Sequence, residues 1–163
     1  MKHYIFILCF FVSALGFSQN TIPDVIEKYN THSVKYINVE ELNSNYNEYL
    51  ILDSREQGEY NVSHLKNAIN IGFENFNIDA SVNEIKDFSK PIVVYCSIGV
   101  RSEIIGEKLK EKGFTNVFNL YGGIFEWKNQ GLNVYNRNNI KTENVHVFSK
   151  EWSKFLKSGQ KTH

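Results

Sequence analysis

The sequence predicts an α/β protein in which five short strands form a mostly parallel sheet with helices on both faces. Apolar segments of strand length alternate along the chain with helical segments, an order typical of parallel sheets covered by helices. The apolar segment at residues 92–95 is predicted to be the central strand. The chain has 163 residues with 42% hydrophobic content, which is enough for one compact domain and too little for two.

Each element has its own signal in the sequence. The first helix begins after Asn38, which can cap it together with Glu41 three residues later. Ser81 and Glu84 form a second capping pair, for a helix that ends at Phe88. Strands are predicted at residues 34–37, 49–52, 68–71, 92–95 and 117–120.

Two further helices are predicted in the second half of the chain. One follows the central strand and ends at Gly113, a natural C-cap. Its apolar face is formed by Ile104, Ile105 and Leu109. A glycine pair after the last strand turns the chain into the other helix, which bears Phe125 and Trp127.

Cys96 directly follows the predicted central strand and stands at the turn into the next helix. Ligands of parallel sheets bind at the carboxyl ends of the strands. At a strand-to-helix turn, several backbone N–H groups and the positive end of the helix dipole point toward the same position. At similar sites the pKa of cysteine falls from about 8.5 to roughly 3.5–7.5. A small apolar residue that merely ends a core strand is the alternative. Gly99 and Arg101 follow at loop spacing and favour a functional thiol.

Several segments in a fixed order carry a resemblance to a known family. They are Asp53-Ser54-Arg55, Glu59-Tyr60, His64-Leu65-Lys66-Asn67-Ala68, Cys96-Ser97-Ile98-Gly99-Val100-Arg101-Ser102, Gly113-Phe114, Tyr121-Gly122-Gly123, Trp127 and Gly131. Over about residues 33–136 the sequence resembles the rhodanese family of sulfurtransferases, and its fold is expected to be rhodanese-like. It departs from the family where Lys66-Asn67 replaces Pro-Gly, and where the loop has no Lys or Arg before Arg101.

The resemblance implies that Cys96 attacks a sulfane sulfur, holds it as a persulfide and passes it to an acceptor. It also implies an anion-binding loop formed by Ser97, Ile98, Gly99, Val100, Arg101 and Ser102. Arg101 either faces the incoming anion or braces the loop by pairing with a buried carboxylate. Asp53 and Arg55 are possible contacts at the rim of the site, where Arg55 either touches substrate or forms an ion pair. No metal or organic cofactor is implied.

The function implied is that of a rhodanese-type sulfurtransferase, which moves a sulfane sulfur from a thiosulfate- or persulfide-type donor to a thiophilic acceptor. Arg101 is the only charged residue of the loop, which predicts that thiosulfate is a poor donor. A sulfur-carrier or binding module without fast turnover is an alternative. A phosphatase or arsenate reductase is less favoured, because four residues separate Cys96 from Arg101 where related phosphatases of the same fold have five. A structural role is least expected, since folding does not need an exposed thiol at such a turn.

The two ends of the chain are predicted to lie outside the domain. Residues 1–18 look like a signal peptide, with a retained membrane anchor as the rival interpretation. Residues 19–32 form a lead-in segment with an initial helical turn, and residues 33–136 form the domain. We therefore expect an exported protein, periplasmic or secreted in a bacterial envelope, with no stable membrane insertion after cleavage.

Residues 137–163, the C-terminal tail, lie beyond the resemblance. Ser149 can cap a short amphipathic helix there, with Phe148, Trp152, Phe155 and Leu156 on one face. We expect this face to pack back on the domain; a partner or membrane-surface contact is the alternative.

The charge of the chain limits the partners that are expected. The 18 basic and 18 acidic residues balance to a formal net charge of 0, and no basic stripe indicates nucleic acid binding. The five histidines are scattered and predict no metal site. The expected partners are a small-molecule sulfur donor and acceptor, or a protein that carries a persulfide.

Overall fold

The computed structural model describes residues 21–163 and contains a five-stranded sheet in which all strand pairs are parallel. In chain order the strands are β1 (Lys35–Ile37), β2 (Leu50–Asp53), β3 (Ile69–Asn70), β4 (Ile92–Tyr95) and β5 (Val117–Leu120). Their spatial order is β1-β5-β4-β2-β3, with β4 in the centre. The predicted fold class is confirmed, and the carboxyl ends of β2, β4 and β5 lie at one edge of the sheet.

Helices cover both faces of this sheet. Alternate side chains of β4 point to opposite faces and contribute to two separate cores. The helices are α1 (Ile22–Tyr29), α2 (Val39–Ser44), α3 (Gln57–Val62), α4 (Ile78–Ile85), α5 (Val100–Glu111) and α6 (Gly123–Asn129), and a short 3-10 helix spans Tyr46–Glu48. Val93 and Tyr95 join the core that contains apolar residues of α1, α2 and α6. Ile92 and Val94 join the core formed with α5 and α4.

Helices α1 and α4 differ from their predicted extent. The lead-in segment contains two helical turns rather than one, because Thr21 and Asp24 form a capping box and the helix buries Val25 and Ile26. The helix predicted to start after Ser81 begins earlier, since Asn77 Oδ1 accepts the N–H of Ala80. Ser81 therefore lies inside α4.

Helix α3 has no counterpart among the predicted elements. Its capping residues are both acidic: Glu56 precedes the helix, and the Glu59 side chain accepts the Glu56 N–H at 3.0 Å. A capping box usually has serine or threonine in the first position, so the sequence pattern did not predict this helix. The omission matters because α3 carries Glu59 into the site described below.

The C-terminal tail contains strands where the sequence predicted only a helix. β7 (Lys141–Thr142) pairs with β6 (Val134–Tyr135), which lies just before the tail, and β8 (Asn144–His146) pairs in parallel with β9 (Gln160–Thr162). A 3-10 helix, Trp152–Phe155, replaces the predicted amphipathic helix. Phe155 and Leu156 are buried against the domain as expected, whereas Phe148 is half exposed and does not share their burial.

The predicted signal peptide, residues 1–18, lies outside the described residues, so export stays a prediction. Between residues 21 and 163, no helix has the length and apolar character needed to cross a membrane.

Candidate active site

Cys96 lies at the carboxyl end of β4, and α5 begins four residues later at Val100. Gly99 has a backbone φ of +114°, a conformation that favours glycine, and its N–H donates to Cys96 Sγ at 3.1 Å. The side chain of Cys96 is only 1% exposed, so the thiol is less open than the sequence led us to expect. Loop and helix together hold Sγ in one position.

The loop is held from outside by the start of α6. The N–H of Ile124 donates to the carbonyl of Cys96 at 2.9 Å, and the N–H of Phe125 donates to the carbonyl of Ser97 at 3.1 Å. Gly123 makes this close approach possible, since a Cβ at this position would overlap the carbonyl oxygen of Cys96 and the backbone of Ser97. The glycine pair at the start of α6 is therefore part of the site's scaffold.

The remaining loop residues contribute mainly to packing. Ser97 and Ile98 are buried, and Ile98 belongs to the core that contains α6. Val100 is partly buried against the same core. Their predicted role in binding an anion through backbone N–H groups stays a prediction.

Arg101 forms a two-pronged ion pair with Glu59 of α3. Its Nη1 donates to Glu59 Oε2 at 2.7 Å and its Nη2 to Oε1 at 2.8 Å, and Nη2 also lies 3.2 Å from Ser97 Oγ. Of the two roles left open by the sequence, the structure has Arg101 bracing the loop through a buried carboxylate. Arg101 lowers the pKa of Glu59 against the opposing effect of burial, so the pair is charged.

A second polar group lies behind the thiol and was missed at the sequence level. Asn119 Oδ1 accepts the hydroxyl of Ser102 at 2.7 Å, and Nδ2 donates to the carbonyl of Gly99 at 2.8 Å and to Glu103 Oε2 at 2.9 Å. Ser102 Oγ in turn lies 3.5 Å from Cys96 Sγ. Asn119 was detectable as the one polar residue in a strand that is otherwise apolar.

The pKa of Cys96 is lowered from its ordinary value by its neighbours. Burial alone raises it, but the positive charge of Arg101 and hydrogen bonds from Ser102 and Gly99 outweigh burial. The hydroxyl of Ser102 makes a shorter contact with Asn119 than with Sγ, so Arg101 and the Gly99 N–H stabilise the thiolate more than Ser102 does. The lowered pKa favours the thiolate, which is the nucleophilic form of cysteine.

Of the two roles left open for Arg55, the structure shows the ion pair: Arg55 pairs with Asp53, and both side chains are fully buried rather than exposed at the rim. Asp53 Oδ1 accepts the Nε of Arg55 at 3.0 Å, and Oδ2 accepts its Nη2 and the hydroxyl of Tyr95, each at 2.6 Å. Arg55 Nη2 also donates to the carbonyl of Ser63 at 2.6 Å. The Tyr95 hydroxyl links this ion pair to β4, and none of the three side chains reaches solvent.

Within residues 21–163, no group of three or more His, Cys, Asp and Glu side chains is arranged to hold a metal ion.

The pH dependence of alkylation tests the effect of Arg101 on the thiol. The rate of alkylation of Cys96 by iodoacetamide, followed by mass, is expected to rise with pH through a midpoint below that of an ordinary thiol. In Arg101→Gln the midpoint should move to higher pH, because the positive charge that stabilises the thiolate is lost. Ser102→Ala should move it in the same direction without disturbing the Glu59 pair.

The matched control is Lys112→Gln, which removes a cation that pairs with Asp79 at the other end of α5. It should leave the midpoint in place. An unchanged midpoint in both Arg101→Gln and Ser102→Ala would show that these groups do not control the thiolate.

The structure defines a class of α/β proteins in which a parallel sheet carries a cysteine loop between its central strand and the following helix. Within that class, the chain belongs to the rhodanese-like domain family: the model of this family, described as "Rhodanese-like domain", matches residues 38–130, more than half of the chain.

Curated relatives carry two different names. A thiosulfate sulfurtransferase GlpE of Coxiella burnetii is 34% identical over 79 residues, which cover 48% of this chain and 71% of the relative. A tRNA uridine(34) hydroxylase of Pelagibacter ubique is 40% identical over 79 residues, covering 48% of this chain and 26% of the relative. The chain therefore spans only about a quarter of that hydroxylase's length.

Solved structures agree with the family and the fold. A rhodanese-related protein of Thermoplasma volcanium is 30% identical with a TM-score of 0.52, covering 61% of this chain and 96% of that one. A thiosulfate sulfurtransferase of Pseudomonas aeruginosa has a TM-score of 0.58 at 19% identity, covering 76% of this chain and 23% of that one, and shows the fold alone. The family match ends at residue 130, so the C-terminal tail lies beyond it.

Proposed function

We propose that the protein is a sulfurtransferase that carries sulfur as a persulfide on Cys96. The observation that supports this most is the environment of Sγ, which accepts the N–H of Gly99 and has its pKa lowered beside the Arg101–Glu59 pair. A relative named thiosulfate sulfurtransferase, matched over most of its length, supports the same reaction class.

The proposed reaction has two steps. The Cys96 thiolate attacks the outer sulfur of a donor R–S–SH, which forms the Sγ–S bond, breaks the donor S–S bond and releases R–S⁻ with the electron pair. With thiosulfate the same attack would release sulfite. A thiophilic acceptor such as cyanide then attacks the outer sulfur of the persulfide, which forms thiocyanate and returns the thiolate.

Within the chain, each neighbour has a distinct part in these steps. The Gly99 N–H and the charge of Arg101 stabilise negative charge on Sγ before attack and after release. Asn119 holds the carbonyl of Gly99 and the hydroxyl of Ser102, which keeps the turn in place. Glu59 orients Arg101 and is a positioning residue.

Intact mass tests the proposal directly. After brief exposure to glutathione persulfide or thiosulfate, the chain should gain one sulfur atom, the gain should map to the peptide that contains Cys96, and cyanide should remove it. The gain is expected to be faster with the persulfide, because the loop has no charged residue besides Arg101. No gain from either donor would overturn the proposal.

One observation favours a second candidate, a sulfur-carrier module without fast turnover. The side chain of Cys96 is 1% exposed, and close burial slows exchange with small molecules. The two candidates differ in turnover with excess donor and cyanide. Repeated cycles support the sulfurtransferase, whereas a single stable persulfide that resists cyanide supports the carrier.

A further inference from the structure

The C-terminal tail, which lies beyond the family-matched residues, reaches the side chains that brace the Cys96 loop. The ring centroid of Phe148 lies 4.8 Å from the Arg101 guanidinium, and His146 Nδ1 lies 3.9 Å from Glu59 Oε1. We propose that Phe148 is a specificity-determining residue, which covers Arg101 and so disfavours dianionic thiosulfate relative to donors of lower charge. The inference rests on the proposed sulfur transfer and adds the selection of the donor to it.

Phe148 is held over Arg101 at a conformational cost. Its backbone φ is +61°, a left-handed conformation that is uncommon for a bulky aromatic residue. The conformation is stabilised locally, because the N–H of Phe148 donates to His146 Nδ1 at 3.1 Å and the ring meets Trp152 edge-on with centroids 5.7 Å apart. The buried residues Val145 and Val147 anchor the segment on either side of His146. The ring is half exposed, so burial does not explain its position.

Glu59 and Phe148 together reduce the contacts that Arg101 can make with an incoming anion. Its two terminal nitrogens donate to Glu59, and one also approaches Ser97. Phe148 covers a face of the guanidinium, as in cation–π pairs. Because Glu59 pairs with two nitrogens of Arg101 and Phe148 covers a face of its guanidinium, Arg101 presents less positive charge to an approaching dianion than an uncovered guanidinium would.

His146 adds no positive charge to the site. Its Nδ1 accepts the Phe148 N–H, so a proton on that nitrogen is excluded and the 3.9 Å approach to Glu59 is not an ion pair of a protonated histidine. Burial also lowers the pKa of His146, which keeps the ring neutral. His146 therefore acts on Phe148 as a positioning residue.

The test compares Phe148→Ala with the parent chain by two ratios. The first is the second-order rate constant of Cys96 alkylation by iodoacetate, an anion, divided by that for neutral iodoacetamide. The second is the rate of Cys96 persulfide formation from thiosulfate divided by that from hydroxyethyl persulfide. Both ratios should rise about threefold to tenfold in Phe148→Ala, because the Arg101 face is uncovered. Ile140→Ala, which removes another exposed apolar side chain of the tail, should leave both ratios unchanged.

The alkylation ratio decides the inference independently of sulfur transfer. If it is unchanged in Phe148→Ala, Phe148 does not select by charge and the inference is overturned, whatever the sulfur donors do. If it rises while neither donor forms a persulfide, charge selection stands and the proposed function fails. If Cys96 reacts with none of the reagents in either protein, both fail.

Discussion

Cys96→Ser is expected to abolish sulfur transfer, lowering the rate by on the order of 10³-fold or more. A serine hydroxyl can accept the Gly99 N–H in place of Sγ, so the loop should keep its structure. It has no thiolate, however, and cannot form a persulfide at neutral pH. The measurement is the rate of thiocyanate formation from a persulfide donor and cyanide, corrected for the reaction without protein.

The full-length chain supplies a matched control in Cys9, the only other cysteine of the sequence, which lies in the predicted signal peptide. In the uncleaved chain, Cys9→Ser leaves Cys96 as the single thiol and should retain full activity. If Cys96→Ser keeps more than a few per cent of the activity, Cys96 is not the sulfur-carrying residue.

Asp53→Asn is expected to cause the largest loss of stability, about 3–5 kcal/mol in the free energy of unfolding. Asp53 accepts two bonds from the Arg55 side chain and one from the Tyr95 hydroxyl, and all three side chains are fully buried. Removing the carboxylate charge leaves the Arg55 guanidinium buried without its partner, and that desolvation cost is not recovered elsewhere. Urea unfolding and thermal melting measure the loss, which corresponds to a fall in Tm of roughly 6–20 °C.

Asp79→Asn tests whether burial is the cause. Asp79 pairs with Lys112 at a similar distance, 2.7 Å, but their side chains are 73% and 45% exposed. This change should alter the free energy of unfolding by less than about 0.5 kcal/mol. Adding Arg55→Met to Asp53→Asn should restore part of the stability, because the unpaired charge is then removed. A loss below about 1 kcal/mol in Asp53→Asn would contradict the account.

Local signals were sufficient for most of the sheet. The apolar segment that became β4 and the glycine-containing turn after it are recognisable from neighbouring residues alone, and β4 and β5 have their predicted bounds. Helix α3 was missed because its capping residues, Glu56 and Glu59, are less common in those positions than serine or threonine. Capping by Asn77 started α4 earlier than predicted.

In the site, residues that are neighbours in sequence could be predicted together, whereas residues from distant elements could not. Cys96, Gly99 and Arg101 are close in sequence, so their loop could be predicted as a unit. Glu59 and Asn119, which orient Arg101 and the loop, come from other elements and are 42 and 17 residues away from the groups that they bond. Asp53 ends β2 and Arg55 follows two residues later, so both were expected at the rim, but the Arg55 guanidinium turns inward to Asp53 and to the carbonyl of Ser63 and both side chains are buried.

The sequence by itself therefore determined the α/β class, the positions of the strands along the chain and the cysteine loop. These features depend on the periodicity and conformational preferences of adjacent residues. Only the tertiary structure decided that Arg101 pairs with Glu59, that Asp53 and Arg55 are buried, and that the tail brings Phe148 to Arg101. Such contacts join residues far apart in the chain, and they form only when packing brings their elements together.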